Sequence, residues 1–232
     1  FTNVEMPLVR ALAKMEIAGT RCGKDILKET SEEAGVRLDN LSREIYNYAG
    51  CEFNISSPKQ LGNILFDHLG LPYRKKKKDG ANYSTDASIL EGLIGTHPII
   101  ELILEYRNLA KLKSTYLDGL NNYILDDGRI HTIYKQTLTR TGRLSSAEPN
   151  LQNIPARDEM DRKVRRAFVP EYDLFLSADY SQIELRVLAH ISNSEKMIEA
   201  FKNNEDIHTR VASDIFGVSP EEVTKSMRRT AK

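Results

Sequence analysis

The chain of 232 residues has few cysteines and no excess of charge of either sign. Cys22 and Cys51 are its only cysteines, and they supply neither a disulfide framework nor the ligand spacing of a zinc site. We therefore predict a reducing, cytoplasmic location. Lysine plus arginine and aspartate plus glutamate each number 33, so the total charge does not draw the chain toward nucleic acid and leaves only local basic surfaces as candidates.

Long apolar runs are missing as well. No stretch approaches the roughly 20 apolar residues that span a bilayer, so we predict no contact with a membrane. The first residues, Phe1–Glu5, lack the charge and the apolar core of a signal peptide and include no starting methionine, and the last residues have the pattern of mid-helix. From both ends we expect the chain to be a piece of a larger protein.

Apolar residues recur at helical spacing through the first half of the chain. They predict a helix over residues 4–18, a longer one from Lys24 to Gly50, and a second long one over residues 98–124. Ser57-Pro58 is typical of a helix start, and residues 70–85, with few apolar groups, favour a loop. Two long helices joined by shorter elements indicate an elongated helical arm whose long helices pair antiparallel.

The pattern changes at Asp126-Asp127-Gly128, which favours a turn. Alternating side chains predict a strand over residues 129–138, whereas residues 139–166 are polar and irregular. The apolar run Leu174–Ala178 predicts a second strand, and helices start again at about Ile183. We therefore expect an α+β body with the helical arm inserted near its start.

An acidic residue follows the second predicted strand directly. Asp179 opens the segment Asp179–Arg186, where strand gives way to helix, and a carboxylate there can cap the helix, bind a metal ion or do both. Between Lys135 and Arg166, eight basic residues stand against four acidic ones. A carboxylate beside such a surface indicates phosphate chemistry with a divalent cation, since Mg²⁺ prefers one or two carboxylates plus substrate phosphates. A simple helix cap and an ordinary solvated basic face remain alternatives at this point.

Six segments of the chain resemble conserved segments of family A DNA polymerases, and they occur in the family's order. They are Arg107–Tyr116, which resembles a DNA-contacting helix; Thr141–Ser146 and Pro149–Pro155; Asp179–Arg186, which resembles motif A; Asp206–His208; and Arg228–Lys232, which resembles the opening of motif B. Because the matches run across nearly the whole chain, the sequence is identified as a member of this family, most similar to its bacterial members.

The resemblance implies an α+β fold that is part of a right-hand polymerase. An elongated helical thumb is inserted in a partial antiparallel-sheet palm, and the first fingers helices follow. The implied division is palm at residues 1–20, thumb at 21–124, palm with motif A at 125–190, and fingers at 191–232. The implied activity is template-directed DNA synthesis in replication and repair, in which a deoxynucleotide is transferred to a primer 3′-hydroxyl by a two-metal mechanism.

The resemblance also implies roles for residues around the reacting phosphates. Asp179 would be one of two metal-bridging aspartates, and the Tyr180 backbone carbonyl a further ligand for two Mg²⁺ ions. Asp179 and Lys232 are the implied catalytic residues, with Lys232 as a general acid for pyrophosphate. Glu184 would pack under the sugar and exclude a 2′-hydroxyl. The implied nucleotide-binding residues are Gln182, Glu184, His208, Arg228 and Lys232.

The implied partners are primer-template DNA and deoxynucleoside triphosphates (dNTPs), bound by a monomer in the bacterial cytoplasm, at the nucleoid. A helix start at Ser56–Ser57 that holds a phosphate, and DNA contacts from Lys75–Lys78, remain open beside simple capping and a solvated lysine run. Phosphate contacts give affinity without sequence preference, and arginine donors suit minor-groove acceptors. The residues implied to contact DNA are Arg107, Lys111 and Ser114 along the duplex, and Arg143, Asn150, Gln152 and Asn153 near the primer terminus.

The family's second catalytic aspartate belongs to a His-Asp-Glu motif, and that tripeptide does not occur in the sequence. We therefore expect that the 232-residue chain alone does not polymerise. Two other functions remain open. A non-catalytic duplex-DNA-binding module would use the arm alone. A single-subunit RNA polymerase would share the palm, but Glu184 opposes this alternative because such an enzyme must accept a 2′-hydroxyl.

Overall fold

The computed structural model describes residues 1–73, 83–156 and 158–231. Contacts divide the chain into two units, Phe1–Leu174 and Phe175–Lys232. The α-helices of the first unit are α1 (Glu5–Ala18), α2 (Lys24–Ala49), α3 (Pro58–Gly62), α4 (Ala87–Glu91), α5 (Ile99–Leu112) and α6 (Glu159–Arg166). The helices predicted over residues 4–18 and from Lys24 are therefore confirmed nearly to the residue.

Helices α2 and α5 pair antiparallel, as predicted for the helical arm. Arg37 of α2 lies 2.7 Å from Glu105 of α5, measured from Nη2 to Oε1. Further along α2, the ring of Tyr48 meets the ring of His97 just before α5, at 5.6 Å between centroids. The partner's number falls as the number along α2 rises, which is the register of antiparallel neighbours.

Two hydrophobic cores lie along this helix pair. The buried residues of the first include Leu27, Ala34 and Leu41 of α2 and Leu109 and Leu112 near the end of α5. Those of the second include Ile45 and Ala49 at the end of α2 and Ile99, Ile100 and Ile103 at the start of α5. Each fully buried leucine or isoleucine contributes about 1.5–3 kcal/mol, so burial along this pair is a main source of stability in the described first unit.

The start of α3 is the one predicted from Ser57-Pro58. Ser57 is the N-cap, and its hydroxyl accepts a hydrogen bond from the Gln60 amide at 3.4 Å. The helix then widens into a π-helical turn at Asn63–His68. The lysine run Lys75–Lys78, predicted to lie in a loop, falls outside the described residues.

The second long helix, predicted over residues 98–124, has the predicted extent but is not one uninterrupted α-helix. After α5 the backbone passes into a π-helical turn, Lys113–Asp118, and then a 3₁₀ turn, Leu120–Tyr123. Gly119 lies between them, and a Cβ there would stand 2.3 Å from the Thr115 carbonyl oxygen. Only glycine fits at this change of helix type.

Two antiparallel pairs of short strands make up the sheet structure of the described residues, which confirms the α+β class. Strand β1 pairs with β2 so that Thr20 lies opposite Ile130, and β3 pairs with β4 so that Tyr134 lies opposite Ser146. The strands are β1 (Thr20–Arg21), β2 (Arg129–Ile130), β3 (Ile133–Lys135) and β4 (Ser145–Ala147).

The strand predicted over residues 129–138 is shorter and broken. It is interrupted at His131 and Thr132 because its two halves pair with different strands, residues 129–130 with β1 and residues 133–135 with β4. At the break, the His131 ring bonds the Glu16 carbonyl, and the buried Thr132 hydroxyl bonds the Ser146 hydroxyl at 2.6 Å. The side chain of Thr132 thereby fixes the approach of β3 to the loop that precedes α6.

The strand predicted at Leu174–Ala178 is wrong, because the segment has no regular structure. An extended segment becomes a strand only when a neighbouring backbone supplies hydrogen bonds, and no described segment pairs with it. Its side chains are correspondingly exposed, Leu176 to 90%. An apolar run indicates that a segment tends to be buried, but it does not indicate whether a neighbouring strand is present to pair with it.

The second unit is helical in its described part. It contains α7 (Ile183–Ser192), α8 (Glu195–Lys202), α9 (Ile207–Phe216), a 3₁₀ turn at Pro220–Glu222, and α10 (Lys225–Thr230). Helix α7 begins at the residue predicted. The fully buried apolar side chains described in this unit are the three alanines Ala189, Ala200 and Ala212.

None of the described helices is both long enough and apolar enough to cross a bilayer. The boundary between the units, after Leu174, falls inside the predicted palm at 125–190. The two units are defined by the density of contacts, which does not test the division into palm, thumb and fingers. That division therefore stays a prediction.

Candidate functional site

Asp179 lies in an exposed irregular segment just before the turn that leads into α7, and it does not cap that helix. The N-cap of α7 is Gln182, which makes no side-chain capping bond. Arg186 holds the turn from the other side, since its Nε donates to the Ser181 carbonyl at 2.9 Å and its guanidinium lies 4.5 Å from the Phe201 ring centroid. The cap alternative for Asp179 is therefore excluded, and its carboxylate is left available for a ligand.

Gln182 has a strained backbone at the centre of this turn. Its φ of 51° is in the left-handed region, which costs a residue other than glycine of order 1–3 kcal/mol. Its Oε1 is buried and has no hydrogen-bond partner among the described atoms. Glu184, two residues on, is exposed in the first turn of α7. The turn thus presents Asp179, Tyr180 and Glu184 outward, from a conformation that the local sequence does not favour.

Asp206 connects two more of the predicted residues. Its Oδ1 accepts the backbone N–H of His208 at 2.9 Å and that of Thr209 at 3.3 Å, which caps α9. Its Oδ2 accepts Nε and Nη2 of Arg228 at 2.8 and 2.6 Å. Partial burial opposes ionisation of this carboxyl, but the bonds from Arg228 and from the two amides outweigh it and hold the pKa of Asp206 below its ordinary value.

The Asp206 carboxylate thus joins the Arg228 side chain to the backbone of His208 at the start of α9. Among the described residues, no hydrogen bond or ion pair connects this group to Asp179. Lys232, predicted as the second catalytic residue and a nucleotide ligand, lies outside the described residues.

A cleft of about 670 Å³ lies beside α5 in the first unit. Lys111 and Ser114 are exposed at its wall, but Arg107 is half-buried there. The Arg107 guanidinium donates to the Thr85 carbonyl at 2.5 Å and to the Thr85 hydroxyl at 3.0 Å, and burial lowers the pKa of the guanidinium. The cleft is lined by Ser56, Pro58, Thr85, Arg107, Lys111 and Ser114, among others.

The loop predicted to face a primer terminus is held in shape by hydrogen bonds from its own side-chain amides. The Gln152 side chain binds β4 and the residue before it. Its Oε1 accepts the Ser146 N–H and its Nε2 donates to the Leu144 carbonyl, both at 3.2 Å. Asn150 Oδ1 accepts the Gln152 N–H at 3.0 Å. The Gln152 side chain therefore shapes this loop, while Arg143 and Asn153 are exposed on it.

Sequence reasoning missed the residues that hold this loop in place. The Tyr116 hydroxyl donates to the Asn153 carbonyl at 2.6 Å, and the Arg165 guanidinium donates to the carbonyls of Pro155 and Ile154. In the sequence, Arg165 is recognisable only as part of a basic surface. Tyr116 is 37 residues from its partner and Arg165 is 10 and 11 residues from its partners, and no local pattern reveals such contacts.

A family model described as DNA polymerase family A matches residues 24–232. The chain belongs to this family. The match covers all the described helices except α1, including the turn at Asp179 and the pair Asp206–Arg228.

Curated relatives of this family A chain are bacterial polymerases. It is 54% identical to "DNA polymerase I" of Streptococcus pneumoniae over 99% of its own length and 27% of the relative's. It is 55% identical to "DNA polymerase I" of Lactococcus lactis subsp. lactis and 54% identical to that of Bacillus subtilis, in each case over 100% of its own length and 26% of theirs. The chain thus spans about a quarter of the length of the relatives it matches.

A solved structure similar to the family A chain is the POL domain of Pol1 from M. smegmatis in complex with DNA primer-template and dNTP. The two are 43% identical, with a TM-score of 0.87, over 99% of this chain and 41% of the other. This likeness confirms the predicted polymerase-type α+β fold.

The donor set of the family A chain fits Mg²⁺ only in part. The described residues contain no group of three or more histidine, cysteine, aspartate or glutamate side chains placed to hold a metal ion. Asp179 supplies one exposed carboxylate and Tyr180 a backbone carbonyl, which are oxygen donors of the kind Mg²⁺ takes from a protein when substrate phosphates provide the rest.

Proposed function

We propose that the chain contributes to template-directed DNA synthesis, the transfer of a deoxynucleotide to a primer 3′-hydroxyl. The observation that carries the proposal is the likeness, at 43% identity over 99% of the chain, to a polymerase domain whose structure holds primer-template and dNTP. The RNA polymerase alternative loses support, because the matching family is one of DNA polymerases. The palm, thumb and fingers division at residues 20, 124 and 190, a monomeric state and a location at the nucleoid remain predictions.

Asp179 and the Tyr180 carbonyl are the residues that would hold Mg²⁺. Two such ions, when bound together, stabilise the attacking oxygen and the leaving pyrophosphate. The exposure of Asp179 and the absence of any capping bond to α7 favour this role, because a carboxylate committed to a helix end has less capacity for a cation.

Five residues of the second unit would bind and select the nucleotide. Arg228 would supply positive charge and hydrogen-bond donors for the triphosphate, and the ring of His208, whose backbone N–H binds the same Asp206 carboxylate, would add a further contact. Gln182 and Glu184 lie on the turn after Asp179, where Glu184 would leave no room for a 2′-hydroxyl. Lys232, four residues after Arg228, would add a further donor and a proton for pyrophosphate.

The cleft beside α5 would bind the backbone of the duplex. Lys111 and Ser114 are exposed there, and the Ser57-capped start of α3 lies at the same cleft through Ser56 and Pro58. Arg143, Asn150 and Asn153 would face the primer terminus from their loop. Gln152 and Arg107 would act mainly by holding the neighbouring protein backbone in place.

The test uses a chimera in which residues 1–232 replace the matching quarter of the Bacillus subtilis relative. Purified chimera should extend a primer with Mg²⁺ and dNTPs, and the 232-residue chain alone should not, because it carries no second catalytic aspartate. In the chimera, Asp179→Ala should lower the extension rate by at least about a thousandfold, as expected when a metal-binding group at the reacting centre is removed.

Affinity for primer-template should change little in Asp179→Ala, measured by fluorescence anisotropy. The matched control is Asp173→Ala, six residues earlier and also exposed, which should extend normally. Extension by the isolated chain, or a loss of DNA affinity in Asp179→Ala as large as the loss of rate, would refute these assignments.

A non-catalytic duplex-binding role is a second candidate, favoured by the cleft with Lys111 and Ser114. The isolated chain should then bind duplex DNA with an affinity that falls steeply with salt. Binding by the isolated chain together with an inactive chimera would select this function over synthesis.

A further inference from the structure

Asp206 divides its two carboxylate oxygens between two helices. Oδ1 receives the first amides of α9, where His208 lies, and Oδ2 receives the side chain of Arg228 from α10. The contact spans 22 residues of sequence, so it ties together elements that the chain itself does not hold in register.

We infer that Asp206 is a positioning residue for the incoming nucleotide, which holds the Arg228 guanidinium beside the first turn of α9, where His208 lies, so that its remaining donors can bind the triphosphate. This inference rests on the proposed function, because it takes Arg228 and His208 as triphosphate ligands. It assigns to Asp206 itself no contact with the substrate.

The geometry of the ion pair leaves Arg228 able to bind a phosphate. A guanidinium has five N–H donors in a rigid plane. Asp206 occupies the edge formed by Nε and Nη2, and the Arg228 side chain is still 41% exposed. The Nη1 end therefore remains for a second acceptor, and its direction is fixed by the first.

Two opposing effects decide whether Asp206 raises or lowers the affinity for the nucleotide. A carboxylate near a triphosphate repels it, which favours removal of the charge. However, the charge of Asp206 is already paired with Arg228 at 2.6 Å. Holding the long arginine side chain in place before the nucleotide arrives lowers the conformational entropy lost on binding. We expect this ordering to outweigh the repulsion.

Replacement by asparagine separates positioning from helix capping. Asparagine caps helices about as well as aspartate, so Asp206→Asn keeps the start of α9 while it removes the charge that holds Arg228. Thermal unfolding of the 232-residue variant should therefore stay close to wild type. Asp206→Ala, which loses the cap as well, should unfold at a lower temperature.

The decisive measurement is steady-state extension by the chimera with Asp206→Asn, Arg228→Ala and the double variant. We expect Asp206→Asn to raise the KM for dNTP by about tenfold with kcat changed less than about twofold, the pattern of lost ground-state binding. In the Arg228→Ala background Asp206→Asn should add little, because interacting residues are not additive. Asp214→Asn, an exposed carboxylate on the same helix, is the matched control and should leave KM unchanged.

Each result supports or overturns the inference. An unchanged or lowered KM in Asp206→Asn overturns it, as does a full additional effect in the Arg228→Ala background. If Arg228→Ala leaves KM unchanged, the triphosphate role in the proposed function fails, and the inference fails with it. Calorimetric titration of the 232-residue chain with dATP should give the same order of affinities, wild type above Asp206→Asn, without any dependence on catalysis.

Discussion

At the scale of single residues, Arg107 shows how a side chain predicted to contact DNA can stabilise the fold. Its guanidinium binds the carbonyl and the hydroxyl of Thr85, a residue only 3% exposed. Thr85 immediately precedes Asp86, the N-cap of α4, so Arg107 ties α5 to the start of that helix. Lys111, one helical turn further along α5, is exposed and makes no comparable bond to a described buried residue.

We therefore expect Arg107→Ala and Lys111→Ala to separate in a stability assay. Arg107→Ala leaves buried polar groups of Thr85 without their partner and should lower the free energy of unfolding by about 1–3 kcal/mol. Lys111→Ala should change it by less than about 0.5 kcal/mol but reduce the salt dependence of duplex affinity by about one unit of slope. Urea unfolding and anisotropy titrations at several salt concentrations measure both. Equal stability of the two variants would contradict the structural role of Arg107.

At the scale of elements, His131 fastens the turn before β2 to the end of α1. Its Nδ1 lies 2.7 Å from the Glu16 carbonyl oxygen and its Nε2 lies 3.0 Å from Asp127 Oδ2. A backbone carbonyl and an ionised carboxylate are both acceptors, so the two hydrogen bonds form together when the ring is protonated. The bond to the Glu16 carbonyl, followed by the bond to Asp127, raises the pKa of His131, and the same His131 bond lowers the pKa of Asp127.

This contact predicts a pH window for stability. The raised pKa of His131 gives stability that is complete below its unfolded value of about 6.5 and is lost as pH rises through the folded value. The lowered pKa of Asp127 gives stability that is present above about 3.9 and is lost as pH falls. The wild type should therefore exceed His131→Gln most between about pH 4 and 6.5. Urea midpoints against pH measure this difference, with His68→Gln at an exposed histidine as the control. A difference that grows above pH 7 would argue against the protonated ring.

The elements that could be predicted from the sequence are those specified locally. Periodicity and caps located α1, α2, the Ser57-capped α3 and the start of α7. The strand at Leu174–Ala178 was predicted wrongly because pairing is non-local. At the site, the segment from Asp179 to Arg186 was visible as a motif, but the bond between Asp206 and Arg228 was not, since nothing in either local pattern requires it.

At the scale of the whole molecule, the two units differ in how they are stabilised. The described part of the second unit buries only alanines completely, whereas the first buries leucines and isoleucines along α2 and α5. Because burial of larger apolar side chains contributes more free energy, amides in α7 to α10 should exchange with deuterium well before those in α2 and α5 of the 232-residue chain. Mass spectrometry of peptic fragments measures the order. Equal protection of the two units would show that burial alone does not set local stability here.

The sharing of α2 and α5 by both cores also has a mechanical consequence. A helix of the length of α2 measures about 39 Å, and its two ends are joined through the same partner. The pair therefore acts as a lever: a rotation of about 5° at one end displaces the other by about 3 Å, given that length. That is roughly the span of one hydrogen bond. The residues at the Ser57 end would thus move by that distance in a small tilt of the whole pair, without any helix being rebuilt.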